Sequence, residues 1–432
     1  MYLATPAGKG VTDFMTAADV SGSLAADAVR FLTDPAFREH PDEFYAQLLN
    51  GHRLLAVGNG MWLASGHAEV HSVMRDTRFS RAARAGQEME YLTGDPRPEV
   101  QQMAACQAAM MLFTDPPEHT RIRKFHRPPF MPRAVGRWVN YVDELADELA
   151  AELSHDGQFD LKADYALPIP ERAICRILGV PAEDHKQWER WTDAILNIDR
   201  TGQGGGTSTN SAGEAMRAFG DYFAELIAHR RAHPTDDLIS ELVSSDEDGD
   251  RLSDAELIGN LILLIMAGHE TTANSIATTV VLLMTHRDQW DRLIADPGLA
   301  EGAVEEVLRL GGAQRFIVPR VATEDVVVGG HHIPAGDEVI CVLHAANRDP
   351  EVFADPDRFD ITRDCSAHLA FGTGTHSCLG MPLARLELTA ALKGLIHYHP
   401  ELQLAVDPTA LHGTPSPTVR GWQSVPCISP NP

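Results

Sequence analysis

Between Phe371 and Gly380 the sequence reads FGTGTHSCLG, three glycines around one cysteine, and a helix-forming run, MPLARLELTAALKGLIH, begins at the next residue. Glycine carries no side chain and tolerates positive φ, so a loop of this kind folds tightly and lets a flat ligand approach its backbone. The run behind it places Cys378 at or just before a helix N-terminus, where unpaired N–H groups and the helix dipole stabilise a thiolate. A stabilised thiolate serves as a nucleophile or as a metal ligand. A nucleophile needs a base within reach, and His376, two residues away, points elsewhere in a locally extended chain. The context suits a ligand better.

A second constellation lies in LSDAELIGNLILLIMAGHETTANSIATTVVLLMTH, from Leu252 to His286. The spacing predicts a helix that starts after the cap-like Ser253 and is apolar on nearly all sides. Polar residues interrupt it too often for a membrane span, so it belongs through the middle of a large protein. At its centre, Ala267 to Thr272 reads AGHETT, an acid and two hydroxyls where packing alone would favour leucine. A zinc-type HExxH is excluded because Ala273 fills its fifth position. Gly268 weakens the helix and Thr271 competes for a backbone carbonyl, which predicts a local kink and a groove able to hold water.

At 432 residues, 44% apolar and a mean hydropathy of -0.18, the chain has ample material for a core. Its net charge of -25 argues against broad contact with nucleic acid or an anionic membrane surface. Residues 1–30 contain neither a basic start followed by an apolar core nor a spanning run, so a cytoplasmic protein is expected. The six cysteines (Cys106, Cys175, Cys341, Cys365, Cys378, Cys427) show no CxxC spacing and read as reduced thiols.

Taken together, these stretches resemble the cytochromes P-450, the haem-thiolate monooxygenases. Phe371, Gly372, Gly374, His376, Cys378 and Gly380 fill every fixed position of the family pattern Phe-Gly-x-Gly-x-His-x-Cys-x-Gly. The resemblance implies a mainly α fold with a small β subdomain, and haem b (iron protoporphyrin IX) between the long central helix and the cysteine loop. It makes Cys378 the axial iron ligand, with Phe371, Gly372 and Gly380 shaping the cofactor loop. His119, Arg123, Arg320 and His376 would hold the propionates, which need cationic or N–H donors. Glu270 and Thr271 would relay protons to dioxygen as its O–O bond breaks. Glu306 and Arg309, three apart on one helix face, would form a buried structural pair, with Glu305 the poorer partner for Arg309.

The same resemblance puts Met89, Ala267, Phe316, Ile317 and Val318 around an apolar small-molecule substrate, expected to be an intermediate of a natural-product pathway of the actinobacterial type. Read from the residues alone, Met89, Met103, Met110 and Met111 are core filler, and His269 and Thr272 are packing or solvent-network residues. The implied reaction is oxygen insertion, hydroxylation or epoxidation, by a monomer fed by ferredoxin and its reductase, with Arg385 a candidate in the docking patch. Oxidative coupling, a peroxygenase and a non-catalytic haem-thiolate sensor are the alternatives. The Glu270–Thr271 pair argues against the sensor.

In domain terms, residues 1–30 read as a flexible arm and 31–432 as a single catalytic domain. Residues 34–50 read as a helix, LLAVGNGMWLA as two strands, and residues 316–350 as a small antiparallel sheet. RTGQGGGTSTNS is a flexible link between helices, and TPSPTVRGWQSVPC a final hairpin.

Overall fold

The computed structural model describes residues 24–86, 97–154, 157–196, 209–247 and 249–430. Met89 and the glycine-rich link at 202–206 lie outside the described residues. Helices dominate, and the strands are short.

The helix predicted from Leu252 begins with a reciprocal capping box. Ser253 Oγ accepts from Glu256 N, and the Glu256 carboxylate accepts from Ser253 N at 2.8 Å, so two otherwise orphaned N–H groups are satisfied. It continues as Asp254–Gly268 and Glu270–Thr285, divided at His269 (φ -97°, ψ -53°). The predicted kink is present, and it falls where the helix passes from one core to another. Its first half, through Leu257, Leu261 and Ile265, packs with Trp188, Phe219 and Phe223 of the His185–Leu196 and Thr209–Ala232 helices. Its second half, through Ile276, Val280 and Leu283, joins Val304 and Val307 of Ala300–Gly311 and Leu388 and Leu392 of Met381–Tyr398. Each such side chain contributes roughly 1.5–3 kcal/mol by leaving water. This explains how a helix with a glycine and a break at its centre stays in place.

Among the described residues the strands, numbered in chain order, are β1 Leu54–Gly58, β2 Met61–Ala64, β3 Phe79–Ser80, β4 Gln158–Asp160, β5 Arg320–Ala322, β6 Val326–Val328, β7 His331–Ile333, β8 Glu338–Cys341, β9 Gln403–Leu404 and β10 Pro426–Ile428. One sheet has the order β1-β2-β8-β5-β3. The antiparallel sheet expected at 316–350 is present in part: β6 pairs with β7 and β5 with β8 in antiparallel fashion, but β8 also pairs in parallel with β2, Met61 opposite Glu338 through Ala64 opposite Cys341, which builds the segment into a larger sheet. All four residues of β8 are buried, the pattern of a parallel strand covered on both faces.

The arm expected over residues 1–30 ends earlier than expected. Leu24–Thr33 is a helix that buries Ala28, Phe31 and Leu32, and the Phe31 ring lies 5.3 Å from Phe44 and 5.7 Å from Phe316. Apolar spacing at 28, 31 and 32 anchors it. Pro41, which cannot continue a helix, splits the next expected element into Pro35–Glu39 and Asp42–Leu49. Among the described residues no helix is long and apolar enough to cross a membrane.

Candidate active site

The cysteine loop turns back on itself through a short 3-10 turn, Gly374–His376, and Cys378 N donates to Phe371 O at 2.8 Å. Gly372 and Gly374 have φ of 65° and 75°. A Cβ at Gly372 would come within 2.7 Å of the Met74 methyl, and one at Gly374 within 2.7 Å of the Met74 carbonyl oxygen. Both positions therefore require glycine on two counts, conformation and space. At Gly380 an added Cβ meets nothing within 4 Å, so that glycine answers to no packing constraint of the protein itself.

Cys378 is exposed, yet burial pushes its thiol above the usual range. Both hold if the sulfur opens onto an internal space and not the outer surface. The N–H groups of Gly380 and Met381, at the start of the Met381–Tyr398 helix, donate toward it, and the Arg123 and Arg385 charges favour the thiolate. The sulfur is thus set up to be an anion once a cation or metal faces it.

Beside the loop stands a group of buried donors without protein acceptors. His119 is 2% exposed and neither ring nitrogen has a partner; Arg320 is 2% exposed and its Nε and Nη2 have none; His376 Nε2 has none. The His119 and His376 rings lie 4.1 Å apart. Burial, with Arg123 and Arg81 nearby, lowers His119 to about 4 and His376 far below its usual value, so both rings are neutral N–H donors at pH 7. Arg123 also ties the region together, Nη2 donating to Ser377 O at 2.7 Å. Buried cations and donors in excess of the nearby Asp115 carboxylate fit a dianionic ligand. The two propionates of haem match that chemistry. Arg81, buried at the end of β3 with its backbone N–H on Asp115, adds its charge beside His376 and was not singled out from the sequence. Its serine- and alanine-rich neighbourhood gave it no motif.

In the long helix, Thr271 Oγ1 donates to Ala267 O at 2.8 Å, across the break at His269. Ala267 is exposed although Ile265 and His269 beside it are buried, so here too an internal space reaches the backbone. His269 is packing: Nδ1 hydrogen-bonds Ile265 O at 2.8 Å and the ring sits edge-on to Trp188. Burial raises Glu270, with Lys162, Asp193 and Asn274 as its neighbours. Lys162 is anchored through Nζ to Trp422 O at 2.6 Å. Thr272 hydrogen-bonds Glu387, a carboxyl that burial raises to about 8 and so keeps neutral at pH 7. Glu387 links the helix break to the helix behind Cys378, and an acid inside LELTAAL was the sequence signal for it.

Glu306 and Arg309 are both fully buried and joined by two hydrogen bonds of 2.9 and 2.7 Å. Glu305 is instead held by Arg385 at 2.6 and 2.8 Å and by His368, which keeps its carboxyl at about 2 despite burial. Arg385, expected in a docking patch, is committed to Glu305 and stacks on the Phe371 ring at 4.9 Å. Two expected pocket residues are also elsewhere. Phe316 is 0% exposed and packs with Phe31, while Ile317 joins the core of the five-stranded sheet. Val318 remains partly accessible. Alternation along this segment could not say which side held the site, because apolar cores lie on both.

The family profile described as Cytochrome P450 matches residues 208–297 and 298–408. The vitamin D(3) 25-hydroxylase of Pseudonocardia autotrophica is 40% identical over 90% of this chain and 94% of its own length. The chain belongs to the cytochrome P450 family. The mycinamicin IV hydroxylase/epoxidase of Micromonospora griseorubida is 38% identical over 86% of this P450 and 90% of its own length. The crystal structure of CalO2 superimposes with a TM-score of 0.85 at 30% identity, over 92% of this chain and 97% of that one. The protein is a P450 monooxygenase, and its cofactor is the family's haem-thiolate.

Arg320→Leu checks the buried donor group. Removing an uncompensated buried charge leaves the apoprotein as stable or more stable, while haem, losing about 1.5–3 kcal/mol of charge-assisted hydrogen bonding, transfers to an apo-globin acceptor at least about tenfold faster than from wild type.

Proposed function

We propose that this P450 binds haem b through Cys378 and inserts one oxygen atom of dioxygen into an apolar natural-product intermediate, receiving electrons from a ferredoxin and its reductase. The observation that carries the reading is the presence in one fold of an accessible thiol with converging N–H donors and of a helix break that presents Thr271 and Ala267. The relatives support the substrate class: their names include a vitamin D(3) 25-hydroxylase and a mycinamicin IV hydroxylase/epoxidase.

Thiolate-ligated haem supplies the reductive activation of dioxygen and cleavage of its O–O bond. The protein's part is to hold the group and manage protons. His119, Arg123, Arg320 and His376 hold the propionates, and Arg81 adds to their positive field. Gly380 and Met381 N–H groups steady the sulfur charge. The Thr271 hydroxyl, held by Ala267 O, offers its lone pairs to a water in the break. Glu270, raised by burial, carries its proton closer to neutrality than a surface glutamate does, and Lys162 provides the counter-charge when it is lost. From the Leu24–Thr33 helix onward the chain acts as one catalytic domain, in a cytoplasmic monomer.

Glu270→Gln keeps the hydrogen-bonding shape and removes the proton. The expected result is unchanged substrate affinity, read from the haem spin-state shift, with product formation slower by roughly 10²-fold. Unchanged product formation would remove Glu270 from the relay. For the substrate itself, a panel of polyketide, terpenoid and steroid ligands screened by that shift, with reduced ferredoxin turnover of each hit, tests the reading. Turnover with peroxide alone would put a peroxygenase in its place.

A further inference from the structure

A second group of cations, Arg315 buried and Arg420 half-buried, has no part in the chemistry above. Arg315 follows the Ala300–Gly311 helix, and Arg420 lies on the C-terminal segment. The two strands meet in an isolated antiparallel bridge, Gln314 opposite Val419, closed by Arg315 N to Thr418 O (2.8 Å) and Arg420 N to Ala313 O (2.6 Å). Alternation across this bridge puts Arg315 and Arg420 on one face, the one opposite to Gln314 and Val419, as diagonal neighbours roughly 7–8 Å apart.

Arg315 is 5% exposed, and its Nη1 has no hydrogen-bond partner. Burial lowers both guanidinium groups from 12.5 to about 10, and at Arg420 the charges of Arg315 and Arg348 add to the effect. The surrounding groups do not neutralise them. Arg38 is bound to the carbonyls of Phe31 and Pro415. Arg348 faces Asp42 at 3.8 Å and Asp357 at 3.5 Å, both carboxylates mostly exposed. Glu39 is exposed, and its charge offsets only part of the effect of burial on Arg315. His344 is kept neutral by burial and hydrogen-bonds Gly312 O. The Tyr45 hydroxyl, 1% exposed, has no partner and stands within the field of Arg315, Arg348 and Arg420.

Arginine does not give up its proton in proteins, and a buried charge without a counter-ion is costly. Two of them on one face repel each other as well, more strongly than in water. We propose that Arg315 and Arg420, with the Tyr45 hydroxyl, form a binding site for a single carboxylate group. A planar guanidinium matches a carboxylate through two parallel N–H bonds, and a neutral phenol adds a third donor. The carboxylate belongs either to a small free acid or to the acidic end of a larger organic molecule. In the second case the site makes the enzyme selective for acidic substrates, a refinement that rests on the monooxygenase reading.

The test uses the haem-loaded enzyme, with acetate, dodecanoate and methyl dodecanoate as probes. Acetate should raise Tm of the wild type by about 2 °C relative to equal ionic strength of a bulky anion. Arg315→Glu supplies the carboxylate from the protein itself. It should start with a Tm higher by a similar amount and no longer respond to acetate. If the group comes from a larger molecule, dodecanoate shifts the haem absorption at least about tenfold more tightly than its methyl ester, and Arg420→Gln abolishes that difference. If acetate stabilises while acid and ester shift the haem equally, the site takes a small free acid.

The site is refuted if Arg315→Glu lowers Tm, or if acetate acts equally on wild type and variant while acid and ester bind alike. Should Arg315→Glu fail to fold, Arg420→Gln carries the same readouts: it must lose the acetate response. Absence of the haem-thiolate band would deny the monooxygenase reading, whereas equal binding of acid and ester in a haem-loaded enzyme denies only the acidic-substrate refinement.

Discussion

Glu306→Ala should cost about 3–5 kcal/mol of folding free energy and sharply lower the yield of soluble, haem-loaded protein. Glu306 is 0% exposed, and four donors converge on it: Arg309 on both oxygens, Arg363 Nε at 3.2 Å, Asp360 N at 3.0 Å and the Cys365 thiol at 3.1 Å. Arg309 in turn donates to the carbonyls of Asn347 at 2.9 Å and Pro356 at 2.7 Å. The pair therefore fastens the irregular segment ahead of the cysteine loop to the Ala300–Gly311 helix. Removing the acid leaves a buried guanidinium without its counter-charge. A simple buried ion pair is often replaceable by two apolar residues at little cost, but here the double variant Glu306→Met with Arg309→Met should remain destabilised. It still orphans two carbonyls and the Asp360 N–H. Thermal and urea unfolding of the two single variants and the double variant decide this, and a double variant as stable as wild type would reduce the network to an isolated pair.

Cys378→Ala should have the opposite profile, near-normal folding with turnover abolished. The sulfur faces an internal space and adds little to the packed core, so unfolding free energy of the apoprotein should stay within about 1 kcal/mol of wild type. Without the thiolate nothing in the loop can take its place: His376 is two residues away, and its ring lies 4.1 Å from that of His119, among the propionate-binding donors. Product formation with reduced ferredoxin should vanish, and no other cysteine should rescue it, since Cys106, Cys175, Cys341, Cys365 and Cys427 are all pushed to about 12 by burial.

The parts of this molecule legible in its sequence are those written in local chemistry. Ser253 and Glu256 announce a helix start because each caps the other, and Gly268 with Thr271 announces the break because both weaken the same turn. The glycines of FGTGTHSCLG read as a tight loop because their φ values and the nearness of Met74 leave no alternative. What the sequence concealed depends on partners far along the chain. The parallel pairing of β2 with β8 joins segments almost 280 residues apart, and no periodicity in either strand names the other. Arg385 looked free to meet a redox partner until Glu305 was seen beside it. Phe316 and Ile317 sit between two apolar cores, so being apolar could not tell which way they faced. Arg81, Lys162 and Glu387 belong to no motif and acquire roles only from what surrounds them in the fold.

The central claim is that Cys378 is the thiolate ligand of a haem, and the carbon monoxide difference spectrum of the reduced enzyme tests it most directly. Wild-type protein should show the red-shifted thiolate band, and haem-loaded Cys378→Ala should lack it. A wild-type spectrum without that band in folded, haem-loaded protein, or a Cys378→Ala spectrum that keeps it, would contradict the account.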